Sequence, residues 1–330
     1  MAPSIVMVEK KMAKLKVALY WAASCGGCEI AQLQIGEKLL KLAEAADIVF
    51  WPVAIDVKYK DVEAMPEKSI DVCLFNGAIR NSEQEHIAKM LREKSKVMIA
   101  YGACAYGGGI PGLGNLSNRK MIFDRVYKET PSTDNNNNVM PETKYQVPEG
   151  ELTIPEFYDT VRTLLQTIDV DYIVPGCPPE EKTTWLALEA LITGKLPPSG
   201  TVISHSIKAV CDECPRKRNV KKVSKFFRTY EIVPDTETCL LEQGLLCAGL
   251  ATRGGCGALC PQANMPCTGC YGPVQGVIDQ GAHFLSAVSS VIDSSNPEEI
   301  QKIIDDIRDP VGTFYRYSLP DSLLRRAKIS

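Results

Sequence analysis

Over the first two hundred residues, short apolar runs alternate with longer stretches of helical periodicity. Lys16–Trp21 (KVALYW) reads as a buried strand that runs into the turn Ser24-Cys25-Gly26-Gly27-Cys28. Residues 29–45 carry the repeat of an amphipathic helix, Asp47–Ala54 and Ile70–Ile79 are strand-like, and 82–95 is helical. Lys96–Cys104 is a further strand, ending in the glycine-rich Gly107–Gly114. Residues 154–168 are expected as a helix, Val170–Cys177 as a fifth strand, and Pro178–Gly194 as a helix opened by its prolines. This alternation predicts an α/β fold: a flavodoxin-like doubly wound parallel sheet with helices on both faces. Such sheets bind ligands beyond the carboxyl ends of their strands.

The polar stretch 110–153, with Asn135–Asn138 in it, is expected as a loop insertion with a mobile tip. From about residue 200 the periodicity weakens, and glycine, proline and cysteine crowd together. Two domains are expected: 14–200, flavodoxin-like, and 201–330, cysteine-rich and irregular. The second is read as organised around bound metal rather than around an apolar core.

A length of 330 residues agrees with about two domains. With 37 basic and 40 acidic side chains the net charge is −3, so nucleic acid is a poor default partner. No run of 18 apolar residues is present, so no membrane-spanning helix is expected. MAPSIVMVEKKMAKLK lacks a signal-peptide core, and Arg325-Arg326 is the only Arg-Arg pair, so a cytoplasmic location is expected.

The cysteines change the picture. Thirteen is an odd number and too sparse for a disulfide scaffold, and a cytoplasmic chain keeps thiols reduced. Metal binding, catalysis or burial remain. Histidine is scarce (His86, His205, His283), so a thiolate set for zinc or iron–sulfur chemistry is favoured.

Cys25 and Cys28 follow the first strand, Cys104 ends the fourth and Cys177 the fifth, so all four belong to one edge of the sheet. Gly26 and Gly27 let the backbone approach closely between the first pair. Four converging thiolates suit a 4Fe–4S cluster. A thioredoxin-type pair at Cys25 and Cys28 would leave Cys104 and Cys177 unexplained, and a structural zinc site is the other alternative. Eight further thiols follow in the second half. Cys211, Cys214, Cys239 and Cys247 are taken as one set, and Cys256, Cys260, Cys267 and Cys270 as another, with Cys247 and Cys256 open to exchange. Cys256-x-x-x-Cys260-Pro261 resembles the end of a bacterial ferredoxin motif. Two zinc sites are the plainer alternative. Cys73, inside IDVCLF, is read as a buried apolar residue.

The order SCGGCE, YGACAYGGGIPG, VPGCPP, CDECPR and the terminal cysteine block resembles the small (gamma) subunits of NiFe hydrogenases. The type resembled is methyl-viologen-reducing and deazaflavin (factor 420)-non-reducing, from about Lys14 to Gly272. The resemblance implies that Cys25, Cys28, Cys104 and Cys177 hold a proximal cluster, and that the other sets hold medial and distal clusters. Exported relatives have a histidine where Cys211 stands and a three-iron medial cluster, so this chain is expected to carry three 4Fe–4S clusters. It also implies a NiFe centre in a partner large subunit, with no hydrogen splitting by this chain alone. Electrons would leave through a small iron–sulfur (delta) subunit to heterodisulfide reductase. A zinc-stabilised structural or assembly protein without redox function is the alternative class.

Three other features are weighed. Glu29 is read first as a helix-start carboxylate, with a proton path or subunit contact second. Arg216-Lys217-Arg218 with Lys221, Lys222 and Lys225 is read as a solvated basic face, with docking of an electron partner second. His205 is expected at the surface rather than on metal. The spacing of Gly107–Gly109 and Gly112 fits no nucleotide fingerprint and is read as allowing close packing beside Cys104.

Overall fold

The computed structural model describes residues 14–219 and 222–325. The N-terminal leader reading, Lys221 and Arg326 lie outside the described residues. Among the described residues ten strands occur in chain order: β1 (Leu15–Trp21), β2 (Ala46–Phe50), β3 (Ile70–Asn76), β4 (Ile79–Asn81), β5 (Ser95–Tyr101), β6 (Lys144–Val147), β7 (Gly150–Thr153), β8 (Phe157–Arg162), β9 (Tyr172–Val174) and β10 (Thr201–Val202). Six form one parallel sheet in the order β10-β9-β5-β3-β1-β2. Counting only its strands, the order from the far edge is 2-1-3-4-5-6: the doubly wound arrangement, with its reversal between β1 and β3.

Helices cover both faces, so the central strands are apolar almost throughout rather than alternating. Alternate side chains of β1 still divide between two cores. Ala18 and Tyr20 pack with Phe75, Met98 and Leu91, while Val17 and Leu19 pack with Leu74, Ile99 and Leu188. The helix Ser82–Lys94 starts where its capping box predicts, with Asn81 Oδ1 accepting from Gln84 N at 2.8 Å.

Several elements differ from the sequence expectation. The stretch 29–45 is two helices, Gly27–Leu33 and Lys38–Ala45, parted at Gly36, whose φ is 60°. Residues 154–168 hold no helix; β8 runs antiparallel to β4 instead. Phe157, Tyr158, Thr160 and Val161 suit an extended chain, and Glu85 fastens the strand by accepting from Tyr158 Oη at 2.7 Å and pairing with Arg162. Pro178 and Pro179 precede the N-cap Glu180, whose carboxylate accepts from Lys182 N and Thr183 N, so the helix Glu181–Ile192 begins after them. Within 110–153 there are a 3₁₀ turn at Ile110–Leu116, a helix at Arg119–Asp124 and the β6–β7 hairpin.

The second half also has an apolar core, contrary to expectation. Phe226, Leu240, Leu245, Phe284 and Phe314 are buried together, beneath helices Gln280–Ser289 and Pro297–Asp305. The chain then returns to the sheet. Pro320 lies over Gly108 and Gly112, where a Cβ would stand 2.3 and 2.5 Å from its ring. Gln166 Nε2 donates to Pro320 O at 2.7 Å, and Asn115 Nδ2 to Arg325 O at 2.9 Å. Among the described residues no helix is long and apolar enough to cross a membrane.

Candidate functional site

The first four thiols sit beyond the carboxyl ends of three sheet strands. β1 leads into the turn that holds Cys25, and Cys28 starts the helix Gly27–Leu33. β5 leads through Gly102 to the short helix Ala103–Gly107 that carries Cys104, and β9 leads through Gly176 to Cys177. Gly102 N donates to Val174 O at 2.8 Å and Ala103 N to Gly176 O at 2.7 Å, which ties the last two segments together. The β1 turn is latched to the end of β3: Ala22 N donates to Asn76 O, and Ser24 Oγ to Asn76 Oδ1, both at 2.9 Å.

The sulfurs occupy a cradle that side chains would fill. A Cβ on Gly102 would stand 2.4 Å from Cys28 Sγ, and one on Gly109 would stand 2.5 Å from Cys104 Sγ. Burial, then the nearby Cys104, Cys177 and Cys25, push the Cys28 thiol well up. Burial, then Cys177 and Cys25, push Cys104 up to about 12. Burial and Cys25 raise Cys177, whose sulfur receives a hydrogen bond from Tyr317. Such thiols stay protonated until a cation binds them. A thiol-only donor set, largely buried and cradled by glycine, fits an iron–sulfur cluster.

In the second half, burial pushes Cys211 up to about 12, with Cys247, Cys239 and Cys214 as its repelling neighbours. Cys247 is pushed up to about 11 by burial and feels Cys239 and Cys214. Cys256 stands near Cys260, and Cys270, pushed up to about 12 by burial, stands near Cys256, Cys177 and Cys260. Cys267 lies between the two sets: its backbone N donates to Cys247 Sγ at 3.3 Å, and its thiol feels both Cys247 and Cys270. Cys270 therefore joins the second half to the first-domain thiols. Among the described residues, no three His, Cys, Asp or Glu side chains converge on a single-ion site. Cys73 lies apart, fully buried in β3, and burial pushes its thiol up to about 12.

Sequence reasoning misread or missed several neighbours of these thiols. Glu29 stands in the first turn of the helix Gly27–Leu33, as expected, but it is 6% exposed: it accepts hydrogen bonds from Trp51 Nε1 and Asn76 Nδ2, and burial raises its pKa. Its place directly after Cys28 was the available signal; the partners, 22 and 47 residues away, gave none. Arg216 is buried rather than part of a solvated face. It donates to Pro261 O, Asp235 O, Thr238 O and Asn264 Oδ1 at 2.6–3.0 Å. Lys217 and Lys222 are exposed and paired with Glu237 and Asp293. His205 is exposed, with Nε2 3.2 Å from Lys182 O.

Residues 25–191 match the family model of the NADH ubiquinone oxidoreductase 20 Kd subunit, a span that begins at Cys25 and includes Cys28, Cys104 and Cys177. The F420-non-reducing hydrogenase iron-sulfur subunit of Archaeoglobus profundus is 44% identical, over 94% of this chain and 98% of its own length. The corresponding F420-non-reducing hydrogenase vhu subunit of Methanocaldococcus jannaschii is 40% identical, over 94% and 97%. A solved NAD+-reducing [NiFe]-hydrogenase is similar at 27% identity and a TM-score of 0.48, over 56% of this chain and 94% of that one. With this sheet and this cysteine array, the chain is an iron–sulfur subunit of a hydrogenase. Within that class it belongs to the family of F420-non-reducing hydrogenase iron–sulfur subunits. The family implies iron–sulfur clusters in this chain and a large-subunit partner.

Proposed function

We propose that this subunit carries electrons from dihydrogen oxidation in the large subunit through three 4Fe–4S clusters. Cys25, Cys28, Cys104 and Cys177 would hold the proximal cluster; Cys256, Cys260, Cys267 and Cys270 the medial; Cys211, Cys214, Cys239 and Cys247 the distal. The observation that carries this reading is that eleven thiols fall into three neighbouring groups, with Cys267 between the second and third and Cys270 beside Cys177. When bound, each cluster supplies a one-electron carrier. The chain's own work is to place these carriers in order and to surround them with buried side chains and sulfur hydrogen bonds such as that of Tyr317. A zinc thiolate site requires its sulfurs to converge on one ion; among the described residues no three such donors do so, which favours a polynuclear cluster.

The proximal edge is the face proposed to meet the large subunit. Cys25 is exposed there, and Trp21, Ile30, Leu33 and Ile110 nearby are exposed apolar side chains suited to burial under a partner. The chain has no catalytic centre of its own in this reading. The distal group is the proposed outlet, toward a small iron–sulfur (delta) subunit and heterodisulfide reductase, in the cytoplasm. The complex, purified anaerobically, should contain about twelve iron and twelve labile sulfide attributable to this subunit. Near-stoichiometric zinc with little iron would overturn the proposal in favour of a structural protein.

A further inference from the structure

A carboxylate from the second thiol group holds the loop of the third. Glu213 lies inside Cys211-Asp212-Glu213-Cys214, at the end of the helix Val210–Glu213. Its two oxygens divide between the N–H groups on either side of Cys256. Gly255 N donates to Oε1 at 2.6 Å, and Gly257 N to Oε2 at 3.0 Å. The segment that brings Glu213 there is itself paired with the loop. Val210 N donates to Thr252 O at 2.9 Å, Gly254 N donates to Lys208 O at 2.7 Å, and Ala209 bridges Arg253 in antiparallel fashion.

The loop is shaped to admit this carboxylate. A Cβ on Gly254 would stand 2.6 Å from Glu213 Oε1, so a side chain there would expel it. Gly255 and Gly257 have φ of 111° and 67°, conformations that suit glycine, and both aim their N–H groups at Glu213. The Cys256 sulfur then stands between opposing influences. Burial raises its thiol most; the N–H groups of Ala258 and Leu259 donate to the sulfur and lower it; the Glu213 carboxylate and the Cys260 thiol raise it again. The N–H groups of Gly255 and Gly257 are meanwhile committed to the carboxylate. Net charge and hydrogen bonds to sulfur set a cluster's potential. A carboxylate beside one of its sulfurs opposes any further negative charge placed there.

We propose that Glu213 is a positioning residue for electron transfer: it tethers the third thiol group to the second and disfavours the reduced state of the cluster held by Cys256, Cys260, Cys267 and Cys270. The inference rests on the cluster assignment proposed above. The single electron, released by dihydrogen oxidation in the large subunit, adds one negative charge at this middle station and then passes to the group of Cys211, Cys214, Cys239 and Cys247. Glu213 itself exchanges no electron. Its charge raises the energy of the electron at the middle station and so shortens its stay. The arm that carries this charge also carries Cys211 and Cys214, which belong to the next station.

The test uses the assembled hydrogenase complex with E213Q and E213D, assayed for iron and labile sulfide and then titrated redox-potentiometrically by EPR. E213Q should keep its iron and show one cluster at least tenfold easier to reduce, a rise of 59 mV for one electron. E213D keeps the charge on a shorter arm and should hold that potential near its unaltered value. Loss of about four irons in E213Q but not in E213D also supports the proposal, because the two variants differ in charge. Full iron with unmoved or lowered potentials in E213Q overturns it, and so does E213D behaving like E213Q. Equal loss of iron from both variants overturns it as well, since the side chain would then serve only to hold the loop. Where E213D alone loses iron, the potential of E213Q decides. Zinc in place of iron in the unaltered complex would instead remove the cluster assignment itself, a result the metal analysis reads before any potential is measured.

Discussion

The Tyr106 hydroxyl donates to the Cys270 carbonyl at 3.0 Å, joining residues 164 positions apart. The bond links the helix that carries Cys104 to the loop that carries Cys267 and Cys270, so the two halves meet where two thiol groups come closest. Y106F removes one donor and leaves a buried carbonyl without it, at a cost of about 1 kcal/mol. Thermal unfolding of the complex should register that loss while iron content stays unchanged. Iron lost in Y106F would show that the phenol supports the thiols directly rather than the join between halves.

Glu85 provides the pH-dependent prediction. Hydrogen bonds from Lys89, Tyr158 and Arg162 hold its carboxyl at about 2, against an ordinary 4.5. The folded-state value lies below the unfolded one. Its stabilisation is therefore full above about 4.5 and disappears as pH falls toward 2. E85Q should lose ~2 kcal/mol near neutral pH. The gap between wild type and E85Q in denaturant unfolding should close as the medium is acidified below pH 4.5. A gap independent of pH would mean that shape, not charge, holds β8 in place.

How legible this was in the sequence follows from which contacts are local. β1, β3 and β5 are continuous apolar runs because both sheet faces are covered, so Val17–Tyr20 and Val72–Phe75 could be read directly. Cys25, Cys28, Cys104 and Cys177 follow from strand ends in a doubly wound sheet. β8 was not legible: its partner strand Ile79–Asn81 and its anchor Glu85 lie more than seventy residues earlier. The apolar core of the second half was hidden for a related reason. Phe226 and Leu245 come singly from irregular segments with no period to betray them, whereas the buried i, i+4 pair Phe284 and Val288 of the helix Gln280–Ser289 was a periodic signal left unread. Arg216 looked like part of a charge run because its acceptors are backbone carbonyls, which a sequence does not advertise.

Arg216 and Lys217 should therefore behave oppositely. Arg216 ties Thr238, which precedes Cys239, to Pro261, which follows Cys260, so it braces the second and third thiol groups against each other. R216Q leaves several buried carbonyls short of a donor and should cost ~3 kcal/mol or more. Loss of iron from the second half should accompany it. K217Q breaks only an exposed pair with Glu237, so stability should move by less than ~0.5 kcal/mol. Equal iron retention in both variants would show that Arg216 holds its own loops together without supporting the thiols.

Cys73 provides a control for the ligand assignment. It is fully buried among Ala18, Phe75 and Met98, and burial alone accounts for its raised thiol pKa, up to about 12. C73A should cost ~1 kcal/mol through lost packing and leave the iron count unchanged. Four irons lost in C73A would mean that the odd cysteine had been misassigned.

The separation of catalysis from electron delivery is tested at Cys214. It neighbours Cys211 and Cys247 in the group farthest, by thiol contacts, from Cys177 and Cys25. A serine hydroxyl is a poor substitute for a thiolate on iron, so C214S should damage the proposed outlet cluster. Hydrogen–deuterium exchange needs only activation in the large subunit, and no electron has to leave. Exchange by the assembled complex should therefore persist in C214S, while dihydrogen-driven reduction of the acceptor falls by tenfold or more. C28S should be the harsher change, because Cys28 is buried at the sheet edge beside the proposed large-subunit face and adjoins Glu29. Equal loss of both activities in C214S, with the complex still assembled, would place Cys214 near the active site. Full retention of both would show that electrons leave through another group.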